Sequence, residues 1–476
     1  MTQTSSKQAK IIATLGPSSS SVEMVLALAK AGANVFRLNF SHGDYEEHAA
    51  RIKAVRLAEK ELGRPLGMFM DLQGPKFRLG TFVEGKVYLE KGQSIKFDLN
   101  SAAGDENRVH LPHPEIINAL SEGDRLLIDD GKMIMRVSKV DEDRVIAFAE
   151  VDGYLSDRKG VSLPDCEINV SAMTEKDKRD LAFGLDQGVG SVALSFVQRP
   201  EDLIELRELA GERTQLISKI EKPTALVHLE GILEHTDAVM VARGDLGVEL
   251  PPEKVPAIQK RIVSAARNLG RPVIVATQML ETMINTPTPT RAEASDVASA
   301  VYDGADAVML SAETAAGDYP LEAVSMMARI ITEVESDPLH RSLMEASRKG
   351  TESTKTDAIS AAARQVAPTV NAKAVICYST SGKTALRAAR ERPEAPVIAL
   401  TYDTQIARAL SLVWGVNAVV CPDATDMREM VQTALKVTSE KGLVETGDTV
   451  VITAGVPFGS AGTTNILRIA EVGGEA

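Results

Sequence analysis

A (β/α)8 TIM barrel is the fold class this sequence predicts, and three observations predict it. Eight short apolar runs each end on a polar side chain, charged or hydroxyl in all but Asn39. The residues after every run but the third have the spacing of an amphipathic helix. The third run is instead followed by a long stretch of different texture, as an insertion would be. Eight strand–helix units with polar side chains at the strands' C-terminal ends describe a barrel whose chemistry lies on its top face.

In chain order the runs are Ile11–Thr14, Val35–Asn39, Met68–Asp71, Val192–Ser195, Leu216–Lys219, Val239–Arg243, Val273–Thr277 and Val308–Ser311. The first helix is expected to open with a capping box, Ser20 with Glu23, ahead of Val22, Val25, Leu26 and Ala29, and to stop at Gly32. A later helix places Val255, Ile258, Ile262, Ala265 and Leu269 on one stripe and ends at Gly270.

Past Asp71 the text changes to short alternating runs: Lys86–Leu89, Ser94–Phe97, Arg125–Ile128 and Arg144–Phe148. Turn clusters such as Glu122-Gly123-Asp124 divide them. They predict a small β-barrel domain, residues 73–171, inserted between the third strand and its helix. The barrel pieces, 1–72 and 172–345, then approach together the roughly 250 residues typical of the fold. An insertion on a strand-to-helix loop sits at the active-site end and is placed to act as a lid. Near 346–357 the chain turns polar, as a linker would. Beyond it the runs Ala374–Tyr378, Val397–Leu400, Ala418–Cys421 and Thr449–Thr453 alternate with helical segments, a separate α/β domain over 346–476.

Composition narrows the function. A net charge of −13 argues against a nucleic-acid or anionic-membrane surface, which would need a basic stripe. No apolar run approaches the roughly 20 residues of a membrane span, and MTQTSSKQAK has no signal-peptide core. Cys166, Cys377 and Cys421 fit no metal or redox spacing, so reduced structural thiols in the cytoplasm are expected.

The fifth run leads into Ser218-Lys219-Ile220-Glu221 and the sixth into Ala242-Arg243-Gly244-Asp245-Leu246-Gly247. Carboxylates at adjacent strand ends, Glu221 and Asp245, suit Mg2+ (or Mn2+), which completes its shell with water and substrate phosphate. Lys219 beside them is placed to stabilise a phosphoryl group in transit. Gly244 permits close backbone approach, and its N–H is a candidate anion donor. The second run adds Arg37, Asn39, Ser41 and His42; the third adds Asp71, with Arg78 at the hinge into the insert. Thr277, Ser311 and Glu313 end the last two strands, where hydroxyls can orient a proton-carrying water. One charge at a strand end is commonly a solvated loop or a barrel salt bridge. Four on consecutive ends argue for phosphoryl transfer.

The segments Phe36-Arg-Leu-Asn-Phe-Ser-His-Gly43, Ile217-Ser-Lys-Ile-Glu221 and Met240-Val-Ala-Arg-Gly-Asp-Leu-Gly-Val-Glu249 resemble those of pyruvate kinase. Ala276-Thr-Gln-Met-Leu-Glu281, Pro289-Thr-Arg-Ala-Glu-Ala-Ser-Asp-Val297 and Met309-Leu-Ser-Ala-Glu-Thr314 extend the likeness, and it covers essentially the whole chain. The resemblance implies phosphoryl transfer from phosphoenolpyruvate to ADP, giving pyruvate and ATP. By position it makes Glu221 and Asp245 the magnesium ligands and Lys219 the transition-state lysine. Arg37, the Gly244–Asp245 backbone and Thr277 become substrate contacts. Arg78, Lys159 and the stretch Asn39, Phe40, Ser41 and His42 become nucleotide contacts. It also implies a homotetramer with a phosphorylated effector bound in the C-terminal domain. A barrel lyase or aldolase acting on a pyruvate enolate is the alternative enzyme, but it leaves the lid unexplained. A catalytically dead metabolite sensor would have lost Lys219, Glu221 or Asp245.

Many family members need potassium, held by residues matching Asn39, Ser41, Asp71 and the carbonyl of Leu72. Those members read Asp-Thr-Lys-Gly-Pro-Glu where this chain reads Asp71-Leu-Gln-Gly-Pro-Lys76. Lys76 replaces an acidic residue and is expected to substitute for the cation, so K+ is expected not to be required. In the C-terminal domain Ser381-Gly-Lys-Thr384 lacks the first glycine of a Walker loop, whose place Cys377 takes. The hydroxyl-rich turn of Ser379, Thr380, Ser381, Lys383 and Thr384 remains a candidate effector site, with help from Gly459–Thr464.

Overall fold

Strands made of unbroken apolar runs bury both faces, so they pair in parallel inside a shell of helices. The computed structural model describes residues 7–348, 354–456 and 464–474. In it the eight runs form Lys10–Leu15 (β1), Ala33–Asn39 (β2), Gly67–Asp71 (β3), Ser191–Leu194 (β4), Gln215–Ile220 (β5), Ala238–Ala242 (β6), Val273–Ala276 (β7) and Ala307–Leu310 (β8). They close into one barrel in the order β1-β8-β7-β6-β5-β4-β3-β2. Alternate residues divide between two cores, as the period of two demands. Ile12, Val35, Phe69, Ile217, Met240, Ile274 and Met309 fill the interior, whereas Ile11, Phe36, Leu38 and Met70 pack outward against the helices.

Register sets which side chains reach the top. Asp71 lies opposite Asn39 on one side and Ala193 on the other, while Lys219 lies opposite Met240. The polar strand ends therefore converge at one level.

Two local expectations need correction. The first helix, Val22–Ala31, is capped by Ser21, whose side chain accepts from the Met24 N–H. Ser20 instead donates to the Gly16 carbonyl at 2.7 Å and accepts from Arg51 at 3.2 Å. In helix Val255–Asn268 the buried stripe is Ile258, Gln259, Ile262, Val263 and Ala266. Leu269 is exposed, because the helix presents a face rotated toward Gln259, whose amide donates to Asp303 at 2.9 Å.

The insertion leaves the chain after β3 and returns before helix Glu175–Asp186. It is a half-barrel: a six-stranded sheet with a two-stranded ribbon, Lys86–Leu89 on Gly153–Ser156. All four expected runs are strands, and Met133–Asp141 is a further, longer one. Its inward positions are Met133, Met135 and Val137, and methionine carries little strand preference to announce it.

The C-terminal domain holds Ala374–Tyr378 (β9), Val397–Thr401 (β10), Val416–Val420 (β11), Thr449–Gly455 (β12) and Thr464–Glu471 (β13). Its sheet order is β11-β10-β9-β12-β13, parallel except for β13. All three cysteines are free, and burial pushes the Cys377 thiol up to about 12. No helix among the described residues is long and apolar enough to cross a membrane.

This domain docks on the bottom of the barrel, opposite the polar strand ends. Lys10, which begins β1, donates to the Val416 carbonyl at 2.8 Å, and Asp306, just before β8, accepts from the Trp414 N–H at 3.2 Å. Arg408 grips Glu59 with its Nη2 at 2.6 Å. Between these contacts Leu412 enters the interior cluster of the barrel and caps its lower end. Leu412→Ala is expected to lower unfolding free energy by about 2–5 kcal/mol, the range for a large-to-small core change. Denaturant unfolding checks this, and a loss under about 0.5 kcal/mol would show that Leu412 is no plug.

Candidate active site

Asp71 ends β3 in a buried position and binds two cations at once. The Arg37 Nε donates to its Oδ2 at 2.6 Å, and the Lys219 Nζ lies 3.2 Å from its Oδ1. Burial raises the carboxyl's pKa, but Lys219 and Arg37 outweigh it and hold the group below its usual range. Lys219 also donates to Ser195 Oγ at 2.7 Å and meets Glu221 Oε1 at 2.7 Å. Burial disfavours its charge most strongly, yet Asp71 and Glu221 together keep the ammonium's pKa above the ordinary value. The lysine is therefore a fixed positive charge.

Glu221 is buried too, and its Oε2 accepts the Phe196 N–H at 2.9 Å. Burial raises its pKa, Lys219 opposes that, and the charge of Asp245 adds to it. Asp245 is exposed in the first turn of the short helix Arg243–Glu249 that follows β6, and it has no ion-pair partner among the described residues. A buried carboxylate whose charge a neighbouring exposed carboxylate disfavours forms with it a donor set suited to a divalent cation. No larger cluster of metal-ligating side chains exists among the described residues. Water and substrate oxygens would complete the shell.

The start of this helix, which carries Asp245, is fixed by its neighbours. Thr277, at φ +68, accepts the Gly244 N–H at 2.7 Å and donates to the Ala276 carbonyl at 2.6 Å. Gly244's N–H is thus engaged within the protein and is not a free anion donor. Arg243 ties the same loops together, reaching Asp296 at 2.6 Å and the Thr277 carbonyl at 2.6 Å.

Between barrel and lid lies a cleft of about 350 Å3. Lys76, Arg78 and Lys159 line it together with Glu221 and Asp245. Arg78 donates to the Arg158 carbonyl at 2.8 Å, and Lys159 pairs with Asp129 at 2.9 Å. Partial burial and then Arg78 lower the Lys76 pKa. The hinge itself is built by Gly74 at φ +69, where a Cβ would meet the Phe196 ring at 2.6 Å, and by Asp177, which accepts the Gln73 N–H at 2.9 Å and the Gly74 N–H at 3.2 Å.

Other expected positions sit elsewhere. The Phe40 ring is buried and stacks on His48 at 4.1 Å, so only its backbone faces polar partners, with Lys176 donating to its carbonyl at 2.8 Å. Asn39 Oδ1 accepts the Ser41 N–H at 3.1 Å, and the His42 carbonyl meets His48 Nε2 at 3.0 Å. The Leu72 carbonyl accepts Ser195 Oγ at 2.7 Å. The Ser311 hydroxyl is buried with no hydrogen-bond partner among the described residues, while its N–H donates to Glu313 at 2.7 Å. Ser379–Thr384 belong to the C-terminal domain, where Thr384 Oγ1 meets Thr464 Oγ1 at 2.7 Å. Residues 459–463 of the loop expected beside them lie outside the described residues.

Comparison with known proteins decides the family. The family model "Pyruvate kinase, barrel domain" matches residues 6–324, and "Pyruvate kinase, alpha/beta domain" matches 357–470. The chain belongs to the pyruvate kinase family. A pyruvate kinase of Methylorubrum extorquens is 52% identical over 467 residues, 98% of each chain. One from Geobacillus stearothermophilus is 42% identical over 97% of this chain and 80% of that one. A crystal structure of a pyruvate kinase from Cryptosporidium parvum matches with a TM-score of 0.92 at 33% identity, covering 98% of this chain and 96% of that one. The activity is accordingly a phosphotransferase reaction, between phosphoenolpyruvate and ADP, and the family needs a divalent metal.

Within that family site, four contributors were not singled out from the sequence: Ser195, Phe196, Asp177 and the buried pair Lys222–Glu249. Ser195 ends the fourth run, so its position was a signal. The others act through backbone N–H groups or through pairing across strands, which residue type alone does not announce. Burial first, against the pull of Lys222, raises Glu249 to about 7. Thr277→Val is expected to cost about 1–3 kcal/mol, because the Gly244 N–H loses its acceptor, while Thr277→Ser keeps most of the stability. Denaturant titration of both variants checks this, and equal losses would refute the role of the hydroxyl.

Proposed function

We propose that Lys219 is the group that stabilises the phosphoryl in transit between phosphoenolpyruvate and ADP. The observation carrying this is its buried ammonium, held between Asp71, Glu221 and Ser195 and beside the free carboxylate of Asp245. A charge fixed in advance needs no reorganisation as the phosphoryl moves, which is where such groups gain most. Glu221 and Asp245 fit Mg2+ or Mn2+, which when bound neutralises phosphoryl oxygens. Arg37, oriented by Asp71 and by Thr14 at 3.3 Å, binds the phosphate of phosphoenolpyruvate. Thr277 already has its hydroxyl proton on a carbonyl, so its part is to hold the Gly244–Asp245 backbone against substrate. Ser311, with its unpartnered hydroxyl, orients the water that protonates the pyruvate enolate.

Arg78 and Lys159 take the ADP phosphates from the lid side, and Asn39, Ser41 and His42 line the approach. Closure of the lid over the cleft is then a charge-driven step. The hydroxyl-rich turn Ser379–Thr384 is the effector site for a phosphorylated metabolite. It follows β9, the central strand from which the sheet runs one way to β10 and the other to β12, and ligands favour such switch points. The chain works in the cytoplasm as a homotetramer.

Potassium is not required. Asp71 is occupied by Arg37 and Lys219, the Leu72 carbonyl by Ser195 and Asn39 Oδ1 by Ser41, while the Lys76 ammonium faces the phosphate cleft. The charge that other members import is here part of the chain.

Lys219→Met is expected to lower kcat by about 10²–10³ with substrate binding largely kept. Coupled assay of pyruvate from phosphoenolpyruvate plus ADP measures it, and a variant within about threefold of wild type would sink the assignment. For potassium, initial rates are compared in tetramethylammonium buffer with and without about 100 mM KCl, where the Debye length is about 10 Å. Less than about threefold activation is expected, with Lys76→Glu creating a dependence; activation above about tenfold contradicts the proposal.

A further inference from the structure

Where helix Val255–Asn268 of the barrel meets the C-terminal domain, a second cavity opens, of about 90 Å3. Five arginines line it: Arg267, Arg348, Arg364, Arg390 and Arg392. Three carboxylates share the lining, Asp303, Glu345 and Glu391, and each is already committed. Asp303 accepts from Gln259 at 2.9 Å and pairs with Lys260. Glu345 is shared by Arg364 and by Arg341 at 2.8 Å. Glu391 takes Arg348 at 2.9 Å, and Arg390 turns to Asp357 at 2.7 Å.

Arg267 and Arg392 are left over. Arg267 has no carboxylate partner among the described residues; it donates to Ser347 Oγ at 3.2 Å, and its Nε has no acceptor. Arg392 is only 6% exposed. Its Nη2 reaches the Gly304 carbonyl at 2.8 Å and Asp306 at 3.2 Å, and its plane lies 4.5 Å over Trp414. Its Nε and Nη1 have no acceptor among the described residues. Buried donors left unpaired are rare in folded proteins and ask for a partner. Burial, and then the neighbouring Arg392, push the Arg267 pKa down to about 10.

The backbone is shaped around the pair. Gly304, at φ +91, leaves room for Arg267, since a Cβ there would meet its Nη1 at 2.5 Å. Arg392 itself stands at φ +49, a conformation few non-glycine residues adopt outside functional or tightly held positions.

We propose that this cavity binds the phosphate group of a phosphorylated metabolite between Arg267 and Arg392. Planar guanidinium forks match phosphate oxygens two at a time, and both forks offer unpaired N–H groups. The cavity takes the phosphate and leaves any sugar or nucleoside outside it. The site is separate from the hydroxyl-rich turn at Ser379–Thr384. It joins the barrel helix that runs between the Asp245 helix and β7 to the domain beneath.

The test is calorimetric titration of the full-length protein with inorganic phosphate, AMP and ribose 5-phosphate, with magnesium and phosphoenolpyruvate present to fill the barrel site. Arg267→Gln is expected to weaken phosphate binding at least tenfold. Ser264→Glu, an exposed cavity position, puts a carboxylate in the anion's place and is expected to do the same without moving the unfolding midpoint. Lys383→Glu, in the other turn, is expected to leave this binding unchanged. In the Lys383→Glu background, tighter binding of AMP or ribose 5-phosphate than of phosphate, lost in Ser264→Glu, supports a phosphorylated metabolite here, and binding no tighter than that of phosphate overturns that ligand class. No phosphate binding to the wild type, or binding unchanged in both cavity variants, overturns the proposal.

Discussion

The catalytic face depends on one buried carboxylate. Asp71 accepts from Arg37 on one oxygen and pairs with Lys219 through the other, and neither cation has another equally buried anion except Glu221 beside Lys219. Removing one partner from a buried ion pair leaves an uncompensated charge, which costs far more than the pair contributes when intact. The charges of the cluster are therefore energetically coupled, although the Arg37–Asp71 contact does not itself pass through Lys219. It also cannot form until β2 to β5 have paired, because Arg37, Asp71 and Lys219 come from three different strands of that stretch of sheet.

That closure is supported from below. Leu412 completes the interior cluster, and the contacts of Lys10, Glu59 and Asp306 with the C-terminal domain hold the lower rim. With one face of the barrel sealed by a domain, the opposite face is left for chemistry and for the lid. The division of labour follows from where the insertion leaves the chain: after β3, beside Asp71, on a hinge fixed by Gly74 and Asp177. The Arg267–Arg392 cavity lies on the seam between sealing domain and barrel.

How far this was legible in the sequence depends on the kind of signal. The eight barrel strands were legible because a continuous apolar run that ends on a polar residue suits a strand buried on both faces and little else. Lys219, Glu221 and Asp245 were legible because they follow those runs directly. The cap at Ser21 was misplaced by one residue, since Ser20 and Ser21 are equivalent until the backbone turns. Leu269 was read as core because helix phase alone does not say which side meets a neighbour. Met133–Asp141 escaped because methionine marks neither strand nor turn. Phe196 and Asp177 serve the site through backbone N–H groups on other elements, a relation that only the folded chain contains. The same holds for Thr277, whose hydroxyl suggested proton chemistry but is engaged in holding Gly244.

The interdependence of the charge cluster is its most direct test. Unfolding free energies of Asp71→Asn, Lys219→Met and the double variant form a cycle that isolates the coupling between the two side chains. If Asp71 and Lys219 exist as a unit, the double variant loses less than the sum of the single losses by at least about 1 kcal/mol. Losses that add within about 0.3 kcal/mol would mean that the two charges are held independently, and the site would not be a single buried network.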